Sequence, residues 1–476
     1  MRKSHIKRKI TKTDMEGQTI ITTHDVDELF ISTVVRLIQR RAFPNLRNII
    51  AKTHSADIAR WFPRLRPEAK SSLFKLLIEE KRMGEVLCDL NSADISEFVE
   101  ETESAIVANV LRTMPADDVT RILSEMPDEN KAELLNLIEG ENSEDIERLL
   151  EYEERTAGAI MSPNYFALPE ETTAAEATEK IRELSEVEMP PITFYVYVVD
   201  EENKLKGVLS LRQLVQTKPG TPLKNLMTSH LYTVHTDMPQ ETVARAVARY
   251  NLLAIPVINS IGQLVGVVTI DDVVDVIREE NTEDMLKMAG TGDLDITSRS
   301  IFRNTRARLP WLLASFGGGL LAVYIIGIFE AQLQQIAVLA AFIPIIMGMG
   351  GNIGTQSSTI IVRSIALGEV GVKDTWRVLW REFSTGALLG TTYGVLLGGF
   401  ASIFPEFREY AWKLPLVVAL AIFVNMMIAA TVGTIIPMFF KRVRIDPAVA
   451  TGPFVTTAID VIGIFTYFLL AKIFLF

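Results

Sequence analysis

The chain has 476 residues, 48% of them apolar, a formal net charge of −11 and a single cysteine. That length holds two or three domains, and the lone Cys88 excludes an internal disulfide framework and suits a reducing compartment. Residues 309–476 hold ten Lys/Arg against eight Asp/Glu, which leaves −13 on residues 1–308. An acidic half joined to an apolar half speaks against nucleic acid, whose phosphates need a basic face, and suits cations.

In chain order, Met1 to Lys12 is basic but lacks an apolar core, so it is not a signal peptide, and residues 1–24 read as a disordered basic tail. Residues 25–155 read as an acidic, all-α superhelical N domain. Phe62-Pro63, Met114-Pro115 and Met126-Pro127 each stop one amphipathic segment before the next begins. Ala116–Met126 is patterned like Asp128–Ile138, as expected of stacked helix pairs. Asp94, Asp117 and Asp118 are helix-cap acids by position, or acids turned towards a partner domain.

Residues 156–280 contain an internal repeat. Met161-Ser162-Pro163 opens one copy and Met227-Thr228-Ser229 the other. Each continues through a strand, an amphipathic helix and a β-branched strand, and ends on Gly207-Val208-Leu209-Ser210 or Gly266-Val267-Val268-Thr269. These residues resemble a tandem pair of CBS domains, an α/β regulatory module that dimerises and binds adenosine nucleotides such as ATP. The resemblance implies a ribose-binding set in the second copy at Gly266, Thr269 and Asp272. The first copy has Gln213 at the acid position, which leaves one nucleotide site at most.

Asp271, Asp272, Asp275, Glu279, Glu280, Glu283 and Asp284 crowd fourteen residues with one Arg among them. At helical spacing such like charges repel by roughly 0.2–0.5 kcal/mol per pair. Hard divalent cations, which prefer oxygen ligands, would relieve them. Residues 281–308 then form a connecting segment: Gly290-Thr291-Gly292 breaks the pattern, and Arg299, Arg303, Arg306 and Arg308 make a basic run before the apolar half.

Five apolar spans are expected, at about 310–329, 336–362, 383–404, 414–440 and 448–475. Lys and Arg concentrate in alternate loops, which puts the N-terminal half in the cytoplasm and the C-terminus outside. The second span carries Pro344, Gly348, Gly350, Gly351, Asn352, Gly354 and Gln356, a composition that predicts a loosened helix lining a cavity. In the last span Asp460 lies some ~18 Å along the helix. It shares a face with Gly452, Thr456, Gly463 and Tyr467, expected to form a narrow wet stripe. A carboxylate at such depth costs about 2.5–3.5 kcal/mol, so something must offset it. It reads as an ion-pathway acid, or as a protonated acid bonded to a neighbouring helix.

Together, the Pro344–Gln356 pattern, Arg444-Ile445-Asp446-Pro447-Ala448 before the last span, and Asp460-x-x-Gly463 within it resemble the MgtE family of magnesium channels and transporters. The resemblance covers residues 25–476. It implies a homodimer in the plasma membrane with a central pore for Mg2+, closed when cytosolic Mg2+ bridges the acidic domains. Asp460 then stands as the pore's Mg2+-binding acid, with Gly452 and Thr456 at matching pore positions where the family has Asn and Ala. Asn352 joins them in the broken span. Glu241, Asp272, Asp275, Glu280, Glu283 and Asp284 stand as sensor ligands, with Asp117 and Asp118 as acids of the facing N domain. Asn251 occupies a position where a sensor acid is common. No nucleotide-triphosphatase, nucleophile-elbow or zinc motif occurs, so no enzyme is expected. A counter-ion-coupled Mg2+/Na+ exchanger and a membrane-anchored nucleotide sensor without transport are the rival readings.

Overall fold

A computed structural model describes residues 12–13, 19–20, 23–124, 126–138, 141–183, 195–291, 301–371, 374–403 and 412–476. The chain divides into two compact units, 1–276 and 277–476. Within the tail expected to be disordered, Lys12–Thr13 pairs antiparallel with Thr19–Ile20; most of the tail lies outside the described residues.

In the first unit, ten helices run from Thr23–Gln39 to Glu141–Leu150. They pack in alternation, Ser104–Leu111 on Asp128–Leu137 and Ala116–Ser124 on Glu141–Leu150. Their apolar faces form one core, in which Phe62 stacks on Phe74 with centroids 4.9 Å apart and Phe98 meets Phe74 edge-on. That core also holds Lys70, 2% exposed, whose Nζ donates to Asp94 and Glu97. Asp94 is therefore neither a surface cap nor a partner-facing acid: Asn91 caps its helix, and Asp94 answers a buried ammonium. Burial lowers the Lys70 pKa, but the hydrogen bonds and charges of Asp94 and Glu97 outweigh it and the net direction is up.

Each repeat copy forms a three-stranded sheet: Ala167–Pro169, Tyr195–Val199 and Leu205–Ser210 in the first, Val234–His235, Ala254–Ile258 and Leu264–Thr269 in the second. The outer pair is parallel and the other antiparallel in both. The opening methionines cross between copies. A Cβ on Gly266 would lie 2.6 Å from Met161 Sδ, and one on Gly207 would lie 2.4 Å from Met227 Sδ. Ser162 and Val267 exchange backbone hydrogen bonds of 2.8 and 2.9 Å. The repeated Met and Gly are thus two halves of one contact, each copy closing the other. The second copy's core, with Val243, Val257 and Val273, is continuous with that of the helical array, whereas the first copy keeps its own.

The acidic helix spans Ile270–Met288 without a break, so the boundary expected at 280 falls inside one helix. In the second unit five long helices follow: Ile301–Ile328, Leu339–Ala366, Thr375–Ile403, Lys413–Arg442 and Pro453–Leu475. Among the described residues four are long and apolar enough to cross a membrane, and Leu339–Ala366 is not one of them. Its Asn, Gln, Ser and Gly content lowers its apolarity, so the expected five spans stand at four by this measure. That helix is also unbroken across Pro344 and its glycines, contrary to the loosened backbone expected. Its small residues serve close packing instead. A Cβ on Gly354 would lie 1.9 Å from Ile459 Cδ1, and one on Gly350 would lie 2.5 Å from Asn425 Nδ2. Likewise Gly386, Gly390, Gly394 and Gly398, at every fourth position, meet backbone carbonyls of the 413–442 helix, a small-residue seam of the kind membrane helices use where hydrophobicity cannot drive association.

Lys70→Ala leaves Asp94 charged and unpaired inside the core. The expected loss is about 3–5 kcal/mol, read as a lower chemical-denaturation midpoint for the helical array.

Candidate functional site

A short 3-10 turn, Pro447–Ala450, leads into the last helix and is capped by Asp446, whose Oδ1 accepts from the Ala448 amide at 2.8 Å; Pro453 then occupies the first turn of the last helix after Gly452. Two turns on, Asp460 is half-buried and has no hydrogen bond or ion pair among the described residues. The stripe expected along its face is shorter than predicted. Tyr467 is 1% exposed, and its hydroxyl donates to the Leu339 carbonyl at 2.9 Å. Gly463 is buried beneath the Asn425 amide. Gly452, Thr456 and Asp460 stay partly open, and the Thr456 hydroxyl donates back to the Gly452 carbonyl at 3.3 Å. On the adjoining 339–366 helix, Asn352 and Gln356 are exposed on one face, four residues apart. Asn425 is fully buried; its Nδ2 donates to the Ile346 carbonyl at 2.7 Å and its Oδ1 has no partner. It ties three helices together one turn from Asp460.

Sequence reasoning passed over Glu382, the second acid buried in this unit. It is 6% exposed and accepts from Ser357 Oγ at 3.0 Å. Next to Ser357, Ser358 Oγ donates to Thr451 Oγ1 at 3.1 Å. The expected span began at 383, one residue late, whereas the helix begins at Thr375.

The C-terminal turn of the acidic helix seats on the start of the last helix. Lys287 Nζ donates to Asp446 Oδ2 at 2.7 Å and pairs with Glu283. Burial lowers the Lys287 pKa, but these two acids raise it more. Gly290, at φ +70°, lies against the Pro453 ring, and a Cβ on Gly452 would come 3.4 Å from the Gly290 backbone. Gly452 therefore faces the connecting segment, and Arg363 reaches Asn281 at 2.7 Å.

In the first unit a bed of acids lies where the helical array meets the second repeat copy. Asp117 and Asp118 come from the first turn of Ala116–Ser124, and Asp272 from the first turn of Ile270–Met288. Asp117 Oδ1 is buried without a partner. Desolvation, then the charge of Asp118, push the Asp117 carboxyl up to about 6, against bonds from two backbone amides and Ser162. Asp272 rises to about 7, from desolvation and then the nearby Asp117 charge. Asp89, raised by desolvation and by Asp275, extends the bed, and Cys88 Sγ donates to Asp118 at 3.3 Å. Arg121 is the cation among them, bonded to the Cys88 carbonyl at 2.8 Å.

The Thr269 hydroxyl and amide both donate to Asp272 Oδ2, so this carboxylate caps its own helix as Gln213 does in the first copy, where Ser210 and Gln213 form a capping box. Glu241 lies on another helix, 3.7 Å from Arg245. Asp275 is exposed, while Glu280 and Asp284 are half-buried along the acidic helix. Among the described residues no three His, Cys, Asp or Glu side chains converge closely enough to enclose a metal ion. The acids form open banks rather than a closed cage.

Three family models match the chain: a divalent cation transporter over residues 343–470, the MgtE intracellular N domain over 53–155, and the CBS domain over 157–219 and 223–279. The magnesium transporter MgtE of Bacillus subtilis is 35% identical over 68% of this chain and 70% of its own length. That of Thermus thermophilus is 36% identical over 68% and 71%. Among solved structures, the cytosolic domain of the Mg2+ channel MgtE in complex with ATP is 31% identical, covering 52% of this chain and 99% of its own, with a TM-score of 0.49.

The raised carboxyls give the acid bed a pH dependence whose sign is fixed. Folded values near 6 and 7 lie above the ordinary 3.8, so the native state binds the extra protons. The stability they supply is full below about pH 4 and is lost as pH rises through 6 to 7. Hydrogen-exchange protection of helix 116–124 in metal-free buffer, corrected for the intrinsic rate at each pH, should be lower at pH 8 than at pH 5.5, and Asp272→Asn should flatten the difference.

Proposed function

The chain belongs to the MgtE family of divalent-cation transporters, and from that premise we propose that it is a Mg2+ channel, closed from the cytosol by Mg2+ itself. The observation that carries the reading is Asp460 itself, half-buried with no hydrogen bond or ion pair among the described residues and one turn from half-buried Thr456. Asn352 and Gln356 are exposed on the adjoining helix, in a unit whose outer surface is otherwise mostly apolar. Hydrocarbon cannot satisfy such groups. A second copy of the chain, related by a two-fold axis, would enclose them in a water-filled path and give the homodimer. In that path an unpaired Asp460 supplies negative charge, and amide and hydroxyl oxygens suit the water shell that Mg2+ sheds reluctantly. The potential across a plasma membrane supplies about 2.3 kcal/mol per charge per 100 mV, twice that for a dication, so inward flux needs no ATP.

Regulation follows from the acids outside the bilayer. Glu241, Asp272, Asp275, Glu280, Glu283 and Asp284, with Asp117 and Asp118, lie in open banks that repel when empty. Mg2+ held through retained waters would draw them together. The path from sensor to pore runs through Lys287, which holds Glu283 and Asp446 at once. A cation taken up by Glu283 changes the partner of the lysine that fixes the start of the Asp460 helix. Gly266, Thr269 and Asp272 remain the set for a nucleotide such as ATP, which would have to displace the Thr269–Asp272 pairing.

Asp460→Asn should abolish Mg2+ current in patches while the protein still assembles; normal current in that variant excludes the pore assignment. A saturable flux that demands a counter-ion would instead favour exchange. Neutralising Asp272, Asp275, Glu280 and Glu283 together should shift inhibition by internal Mg2+ to higher concentration, and an unchanged inhibition curve dismisses the sensor.

A further inference from the structure

We propose that the first two turns of the 375–403 helix bind the headgroup of an anionic phospholipid at the cytoplasmic face of the membrane. The placement rests on the orientation read above, in which the Lys- and Arg-rich loops face the cytosol. The inward side of these turns is fixed. Val378 is buried with Ile361, Ile365, Val370 and Met438, and Lys441 Nζ donates to the Val370 carbonyl at 2.9 Å. Three helix ends are thus locked into one apolar knot.

The outward side has the opposite character. Trp376 is 81% exposed and Trp380 70%, one turn apart on the same face, and Trp380 is steadied by stacking on Phe383 with centroids 5.6 Å apart. Arg377 and Arg381 repeat the spacing on the adjoining face. Arg377 is exposed and has no hydrogen bond or ion pair among the described residues. Arg381 meets only Glu382, at 3.5 Å through Nε, and its side chain stays 60% exposed. The nearby acids are held by other groups as well: Glu382 Oε2 accepts from Ser357 Oγ, and Asp374 accepts from the Gly371 amide at 2.9 Å.

Two indoles beside two guanidinium groups specify a depth and a charge. Indoles settle at the level where hydrocarbon meets headgroups, and guanidinium forks pair with phosphate oxygens in bidentate fashion. A soluble phosphate would leave the indoles uncovered. A zwitterionic headgroup would bring an ammonium to two exposed arginines. An anionic phospholipid satisfies both.

The test uses the full chain in micelles without divalent cations, titrated with phosphatidylglycerol or phosphatidylcholine and read by native mass spectrometry. R377Q/R381Q should weaken the tightest-bound phosphatidylglycerol roughly tenfold or more and leave phosphatidylcholine unchanged, while R377K/R381K retains most of the preference. Brominated phosphatidylglycerol should quench the fluorescence that W376F/W380F removes. Unchanged phosphatidylglycerol affinity in R377Q/R381Q overturns the proposal, as does equal loss of both lipids. Absence of quenching also overturns it, because a second copy then covers the face. Binding in micelles is blind to orientation and to ion flux, so these failures leave the transport reading intact. Labelling of L367C from the outer side of intact vesicles would overturn the cytoplasmic placement alone.

Discussion

The constraint that shapes the second unit is the charge of Asp460. An acid two turns into an apolar helix can be stabilised by a counter-charge, by hydrogen bonds or by water. The described chain offers it neither of the first two. Its neighbours are arranged around that fact. Asn425 clamps the helices one turn away, Gly350 and Gly463 make room for the clamp, and Tyr467 is anchored on Leu339. The carboxylate itself is left half-open. The packing beside it is close, so its openness is a property of position and not of general looseness.

A second constraint governs the first unit. The two repeat copies do not stand independently, because each methionine fills the space over the other copy's glycine. The second copy shares its core with the helical array. The Ile270–Met288 helix carries acids in its first turn and, in its last turn, Lys287 bonded to Asp446.

Much of this was legible in the residues. The repeat, its strands and helices and the acidic helix follow from periodicity, which is a local property; Asp460 lies nearer its helix start than expected, because that helix begins at Pro453 and not at Ala448. The reading failed where contacts between distant segments decide. Asp94 looked like a cap and is the partner of Lys70, twenty-four residues earlier. Pro344 and the glycines beside it promised a broken helix, but i to i−4 bonding persists, and the glycines serve Asn425 and Ile459 on other helices. Glu382 was placed outside its span because a hydropathy pattern blurs helix ends by a few residues.

The sequence by itself determined which segments are helices or strands, that the chain has an acidic half and an apolar half, and that one carboxylate lies within the last span. Spacing and transfer free energy suffice for these. Only the tertiary structure decided which side of each helix is filled. Gly463 and Tyr467 share a face with Asp460 by spacing, yet they are buried and Asp460 is not, because a helical face is wider than the neighbour that packs on it. Where that neighbour ends is set by the size of side chains from other helices, and no periodicity within one helix encodes it.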